Sequence, residues 1–353
     1  MSDVEKQKAT GESRRGLLAS GTAGPHLDSM ARLLGAEHYQ QARRAAGERR
    51  PTAEERTATQ DMTRHITVGI DGSDSARAAA VWAAEVAVRH GAGLRLLYAT
   101  DVEPGMFGTG PNLARGLRDR GRTRLDEAEA TVRQHYPDLA MDGEVRAGSP
   151  LAELIEASRT AVMMVVGSRG LGGVAGLLAG STAVGLAGHG ECPVAVIRDL
   201  TPVDVLTLSG PVVVGVDGSR ASAAALAAAF EEASLAGAEL VAVHAWSEAP
   251  LAGHGFAATR ASSLDMLARN AERLLADQLE PYRQRYPDVP IRPVALADRP
   301  TPALIEQAVS ARLLVVGSRG RGGFAGAVLG SVSQNLIQRA PCPLLVVRGS
   351  LVD

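Results

Sequence analysis

Val165-Val166-Gly167-Ser168-Arg169-Gly170-Leu171-Gly172-Gly173 returns as Val315-Val316-Gly317-Ser318-Arg319-Gly320-Arg321-Gly322-Gly323, with Arg321 in place of Leu171. Each copy then reaches a Gly-Ser pair at the same distance, Gly180-Ser181 and Gly330-Ser331, so the pattern G-x2-G-x9-G-S occurs twice, 150 residues apart. Both copies follow an apolar run that reads as a buried strand. A glycine loop between a strand and a helix lets backbone amides approach phosphate, and the helix dipole favours the negative charge. Two copies point to a duplicated nucleotide-binding module.

Two further landmarks repeat in the same order. Ile66-Thr67-Val68-Gly69-Ile70-Asp71-Gly72-Ser73 is echoed by Val212-Val213-Val214-Gly215-Val216-Asp217-Gly218-Ser219, and Cys192-Pro193-Val194 by Cys342-Pro343-Leu344. The repeat is domain-sized, about 140 residues, and too long for a solenoid unit. The expected organisation is a flexible N-terminal extension over 1–62, a first domain over 63–200 and a second over 201–353. One expectation for the first 61 residues is an upstream start codon ahead of Met62, and the other is a genuine tail or docking arm. A helix is predicted there from His26 to Ala46, with Leu27, Met30, Leu33 and Leu34 on one side.

Within the first repeat, strands are predicted at Ile66 to Ile70, Leu94 to Ala99, Met141 to Ala147, Val162 to Val166 and Pro193 to Ile197. Helices are predicted at Asp74 to His90, in a charged run ending near Tyr136, at Pro150 to Ser158 and at Thr182 to Gly188. The second repeat reads the same way, and 199–210 reads as a linker. Alternating strands and helices, with nearly all-apolar strands, predict a parallel sheet covered on both faces. The fold class is α/β, two tandem Rossmann-like domains, each with a five-stranded parallel sheet.

Composition narrows the chemistry. A net charge of -2 supplies no basic field for nucleic acid or an anionic membrane, and 3% aromatic residues leave little for base stacking. No apolar stretch is long enough to span a bilayer, no secretory signal opens the chain, and a cytoplasmic protein is expected. Lys6 and Lys8 are the only lysines, so neither repeat holds a Walker or Schiff-base lysine. Cys192 and Cys342 each precede a proline at a strand start and read as small buried residues rather than a disulfide. Gly170-Leu171-Gly172-Gly173-Val174-Ala175 and its repeat satisfy the dinucleotide fingerprint, but no acidic residue closes a second strand about 20 residues on, which disfavours NAD.

Ligands of a parallel sheet bind at the carboxyl ends of its strands. Asp71 and Gly167 stand at two such ends, so neighbouring strands would put carboxylate and glycine loop in one crevice. Each feature also has a plainer use: glycine clusters serve loops with positive φ, and Asp-Gly-Ser after a strand caps a helix. The doubling in fixed order favours binding. The sequence contains no H-E-x-x-H, C-x-x-C or G-x-S-x-G, and no histidine is matched between the repeats.

These residues resemble the universal stress protein family in its tandem, ATP-binding form. The match rests on the strand-1 Val-Gly-Ile/Val-Asp-Gly-Ser, the doubled glycine loop and the Cys-Pro-Val/Leu strand, and runs from about Thr63 to Gly349. The resemblance implies that Asp71 and Asp217 face the adenosine, that Gly69 and Gly215 leave room for the base, and that Ala99, Ala245, Val166 and Val316 line the adenine pocket. Gly167, Gly170, Gly180, Ser181 and Thr182 would cradle ribose and phosphates, as would Gly317, Gly320, Gly330, Ser331 and Val332. It further implies ATP with Mg2+ held by phosphate oxygens and water, no assigned protein metal ligand, and an unidentified protein partner. The last strands would pair to give an internal pseudo-dimer, with a further homodimer left open. The functional expectation is a nucleotide-dependent binding module of stress response or signalling. The alternative is a slow ATPase or nucleotidyl-transfer enzyme in which Asp71 or Asp217 orients a water or metal. Segments 103–111 and 248–255 are expected as lids.

Overall fold

The computed structural model describes residues 61–102, 111–170, 180–246, 257–321 and 328–349. The helix expected from His26 to Ala46 and nearly all of both expected lids lie outside these residues; Pro111 opens a helix.

The first half runs β1 (Asp61–Gly69), α1 (Asp74–His90), β2 (Ala92–Ala99), α2 (Pro111–Arg133), β3 (Met141–Arg146), α3 (Pro150–Ala157), β4 (Met163–Gly167), α4 (Ser181–His189) and β5 (Val194–Ile197). A short α5 (Pro202–Leu206) follows. The second half repeats the plan as β6 (Val212–Gly215), α6 (Arg220–Ala236), β7 (Leu240–Trp246), α7 (Ala257–Arg285), β8 (Ile291–Ala297), α8 (Pro300–Ala308), β9 (Leu313–Gly317), α9 (Ser331–Arg339) and β10 (Leu344–Val347).

Local signals set the helix ends. Ser73 accepts from the Ala76 amide at the start of α1, and Gly91 stops it at φ 59°, donating to the Ala87 and Val88 carbonyls. Ser219 and Gly237, at φ 61°, do the same for α6. A residue with a Cβ is strained in that left-handed conformation, which explains the glycine at each stop. Alanines dominate the buried face of α1, so its backbone lies close to the sheet.

All ten strands form one sheet in the order β3-β2-β1-β4-β5-β10-β9-β6-β7-β8. Pairing is parallel within each half. At the centre β5 and β10 run antiparallel, with Leu345 opposite Ala195. The implied pairing of last strands is therefore present within one chain. Both strands are fully buried, and both helix-covered cores continue across the junction. One core takes in α1, α2, α6 and α7, and the other α3, α4, α8 and α9.

Two elements differ from the sequence expectation. Strand β1 starts at Asp61 rather than Ile66, because Asp61 pairs with Ala92 across an irregularity before His65. The segment expected as linker holds α5. There Thr201 and Asp204 form a reciprocal capping box with Pro202 in the first turn, and Val205 is buried. Both cysteines are free and buried.

Candidate binding site at the strand ends

Strand β1 lies directly beside β4, with Val68 opposite Val165, and β6 lies beside β9, with Val214 opposite Val315. The carboxylate and the glycine loop therefore meet in each half. A Cβ on Gly170 would run into Asp71 Oδ2, and one on Gly320 into Asp217 Oδ2. Each aspartate folds its own turn: the Ser73 amide donates to Asp71 Oδ1 and the Ser219 amide to Asp217 Oδ1, both at 2.9 Å. In the second half Asp217 Oδ2 also accepts from the Arg321 amide at 3.0 Å, tying the turn to the start of the glycine loop. The middle glycines of these turns, Gly72 and Gly218, have φ of 92° and 75°, which only glycine adopts without strain.

The loop glycines have different physical reasons. A Cβ on Gly167 would stand 2.9 Å from the Ser75 carbonyl carbon, and one on Gly317 would stand 2.7 Å from that of Ala221. These two glycines let the first turn of α1 or α6 press against the strand end. Gly180 is unlike them. Its φ of -70° and ψ of 145° suit any residue, and its nearest obstacle among the described residues is Ser168 O at 3.5 Å. Gly69 and Gly215 back onto the buried Val166 and Val316 and onto Leu154 and Leu304. Ala99 ends β2 and Ala245 is the last residue but one of β7, both partly exposed.

Each loop closes on itself. The Gly180 amide donates to Ser168 O at 2.7 Å, and the Gly330 amide to Ser318 O at 2.8 Å. The N-terminus of α4 is thereby returned to the end of β4, and that of α9 to the end of β9. Among the described residues neither N-cap makes a side-chain capping hydrogen bond. The α4 ladder opens with Val184 donating to Gly180 O, and the α9 ladder with Gln334 donating to Gly330 O. The amides of Ser181, Thr182 and Ala183 precede it and have no partner inside the helix, as do those of Ser331, Val332 and Ser333. Buried Ser168 Oγ also lacks a hydrogen-bond partner among the described residues. Uncapped amides beside a glycine N-cap fit an anionic phosphate.

Arg169 forms an ion pair with Asp199, which also takes Arg198 at 2.9 Å. Sequence reasoning missed Arg124, which α2 lays against Gly72; it sits in a charged helical run with no motif around it. Among the described residues, no group of three or more His, Cys, Asp or Glu could hold a metal ion.

The fold defines a tandem Rossmann-like protein with a candidate site at the strand ends of each half. The universal stress protein family model matches residues 62–198 and again 209–348, and the chain belongs to that family. Universal stress protein Rv2623 of Mycobacterium tuberculosis is 38% identical over 297 residues, covering 81% of this chain and 97% of the relative. Universal stress protein Mb2028c of Mycobacterium bovis is 36% identical over 294 residues, covering 81% and 97%. A universal stress protein structure from Archaeoglobus fulgidus DSM 4304 superposes with a TM-score of 0.60 at 18% identity, covering 82% of this chain and all of that one, a likeness of fold. Among the described residues no helix is long and apolar enough to cross a membrane.

Proposed function

We propose that the protein binds ATP at both strand-end sites and acts in the cytoplasm as a nucleotide-dependent binding module of stress response or signalling. The observation that carries this reading is the doubled return of an uncapped helix N-terminus, behind Gly180 and Gly330, to the turn held by Asp71 or Asp217. Ser181, Thr182 and Ala183 would offer amides to phosphate in the first half, and Ser331, Val332 and Ser333 in the second. Magnesium, when present, neutralises phosphate charge and is carried by phosphate oxygens and water. Ala99, Ala245, Gly69 and Gly215 would face the base. Asp217 has both carboxylate oxygens engaged by backbone amides, an arrangement suited to holding loop geometry rather than activating water. Nucleotide could switch a partner surface only through a difference in affinity between two shapes of the protein.

The test is isothermal titration of MgATP into the purified chain after denaturing extraction of any nucleotide already bound. Binding at one nucleotide per half is expected. A protein that binds no ATP and carries no copurifying nucleotide refutes the reading.

A further inference from the structure

The two halves differ around the turn glycines in a way that cancels. In the first half α2 lays Arg124 across Gly72, with Cδ and Nε 2.6 and 2.7 Å from where a Cβ on that glycine would stand. The equivalent helix position in the second half, 150 residues on, is Leu274. Leu274 Cδ1 is 3.3 Å from the matching point on Gly218, and a guanidinium covers that glycine too, the Cζ of Arg321 standing at 3.1 Å. Arg321 belongs to the glycine loop, where the first half has Leu171. Arginine on the helix with leucine on the loop has become leucine on the helix with arginine on the loop.

Local stability explains neither arginine fully. Arg124 pairs with Glu127 at 2.9 Å, three residues on, but an exposed pair of this kind contributes little. Arg321 lies outside any helix. Covering a turn glycine needs only bulk, and Leu274 already supplies some. What the halves keep in common is the positive charge. It stands over the glycine of the Asp-Gly-Ser turn, Gly72 in one half and Gly218 in the other, and the aspartate of that turn faces Gly170 or Gly320 of the glycine loop.

We propose that Arg124 and Arg321 are equivalent ligand-contacting residues, each holding the phosphate part of the nucleotide bound in its own half. The assignment rests on the nucleotide reading above. A guanidinium presents paired N–H groups that match phosphate oxygens, which a leucine at the same place cannot do.

The test compares the wild type with Arg124→Leu, Arg321→Leu and the relocated variant Arg124→Leu/Leu171→Arg, which gives the first half the arrangement of the second. Each is titrated with MgATP and with adenosine, and circular dichroism melts establish that all are folded. Each single variant should weaken one of the two ATP events about tenfold, a typical value for one charged hydrogen-bonding group. Adenosine binding should not change, and the relocated variant should regain ATP affinity relative to Arg124→Leu. Unchanged ATP affinity in both single variants overturns the assignment and leaves the nucleotide reading standing. Equal losses for ATP and adenosine also overturn it, since they indicate cover rather than phosphate contact. A wild type that binds neither ligand overturns both.

Discussion

His90 at the end of α1 and Glu232 in α6 form a buried pair between the two halves, and removing only the histidine should be far more costly than removing both. Their Nε2 and Oε1 are 2.8 Å apart, with side chains 6% and 3% exposed. Arg89 approaches Glu232 Oε2 at 3.7 Å, and Arg312 pairs with Glu85 at 3.0 Å. Burial by itself lowers the His90 pKa, but the charge and hydrogen bond of Glu232, with help from Glu231, outweigh it and the net direction is up. For Glu232, burial pushes up, while His90, Arg89 and Arg312 hold the carboxyl below its ordinary range. Breaking a buried pair from one side typically costs about 3–5 kcal/mol, whereas replacing both partners with apolar residues is often neutral or favourable. Arg89 stays near Glu232, so His90→Ala should cost about 3 kcal/mol, the low end of that range. The second variant, His90→Ala/Glu232→Val, installs the residues found at the equivalent places of the other half, Ala236 and Val86, and should recover most of the loss. Urea midpoints at pH 6 with an unchanged slope provide the readout. The sign of the pH dependence follows from the two directions. The raised histidine stabilises fully below its unfolded value, about 6.5, and loses this as pH rises through its folded value. The lowered glutamate stabilises above its unfolded value, about 4.3, and loses this as pH falls through its folded value. The wild-type advantage over the double variant should thus be greatest between about pH 4.3 and 6.5 and shrink at higher pH. A loss below about 0.5 kcal/mol for His90→Ala, within the range of ordinary surface changes, or a double variant as unstable as the sum of the singles, would refute the reasoning.

Gly167→Ala should lower stability even without nucleotide, by about 1–3 kcal/mol for overpacking, read from denaturation midpoints, because the new Cβ would meet the Ser75 backbone. Gly180→Ala, with an ordinary φ and only ordinary van der Waals contact to Ser168 O among the described residues, should leave stability within about 0.5 kcal/mol and reduce ATP binding in titration; the reverse pattern would exchange the roles assigned to these glycines. Burial pushes both the Cys192 and Cys342 thiols up to about 12. Neither should react with a disulfide reagent at pH 8 in the folded protein, and both should react once it is unfolded. Rapid labelling of the native chain would contradict this.

Legibility along the chain followed the range of the signal. Helix α1 matches its expected span because a serine cap and a glycine stop sit at its own ends. Helix α5 was missed, being read as linker: its five residues are too few for hydrophobic periodicity to register, and its only local signal is the capping box of Thr201-Pro202-Val203-Asp204 with proline in the first turn. The extension of β1 back to Asp61 depends on a partner strand across an irregular pairing, and nothing in the local residues marks it. At the site, the meeting of Asp71 with the glycine loop was foreseen on condition that β1 and β4 are neighbours. The reason for Gly167 was not, because the close approach of Ser75 comes from a different element.

By itself the sequence determined the duplication, the α/β alternation, most element boundaries and the doubled glycine loop. These depend on repetition, on period and on caps, all of which are local chemistry. The tertiary structure decided that Gly167 and Gly180 do different work. It set His90 against Glu232, 142 residues apart, and brought an arginine to each turn glycine from two unrelated elements. Such contacts depend on which surfaces pack together, and no spacing along the chain encodes that when the partners lie on different elements.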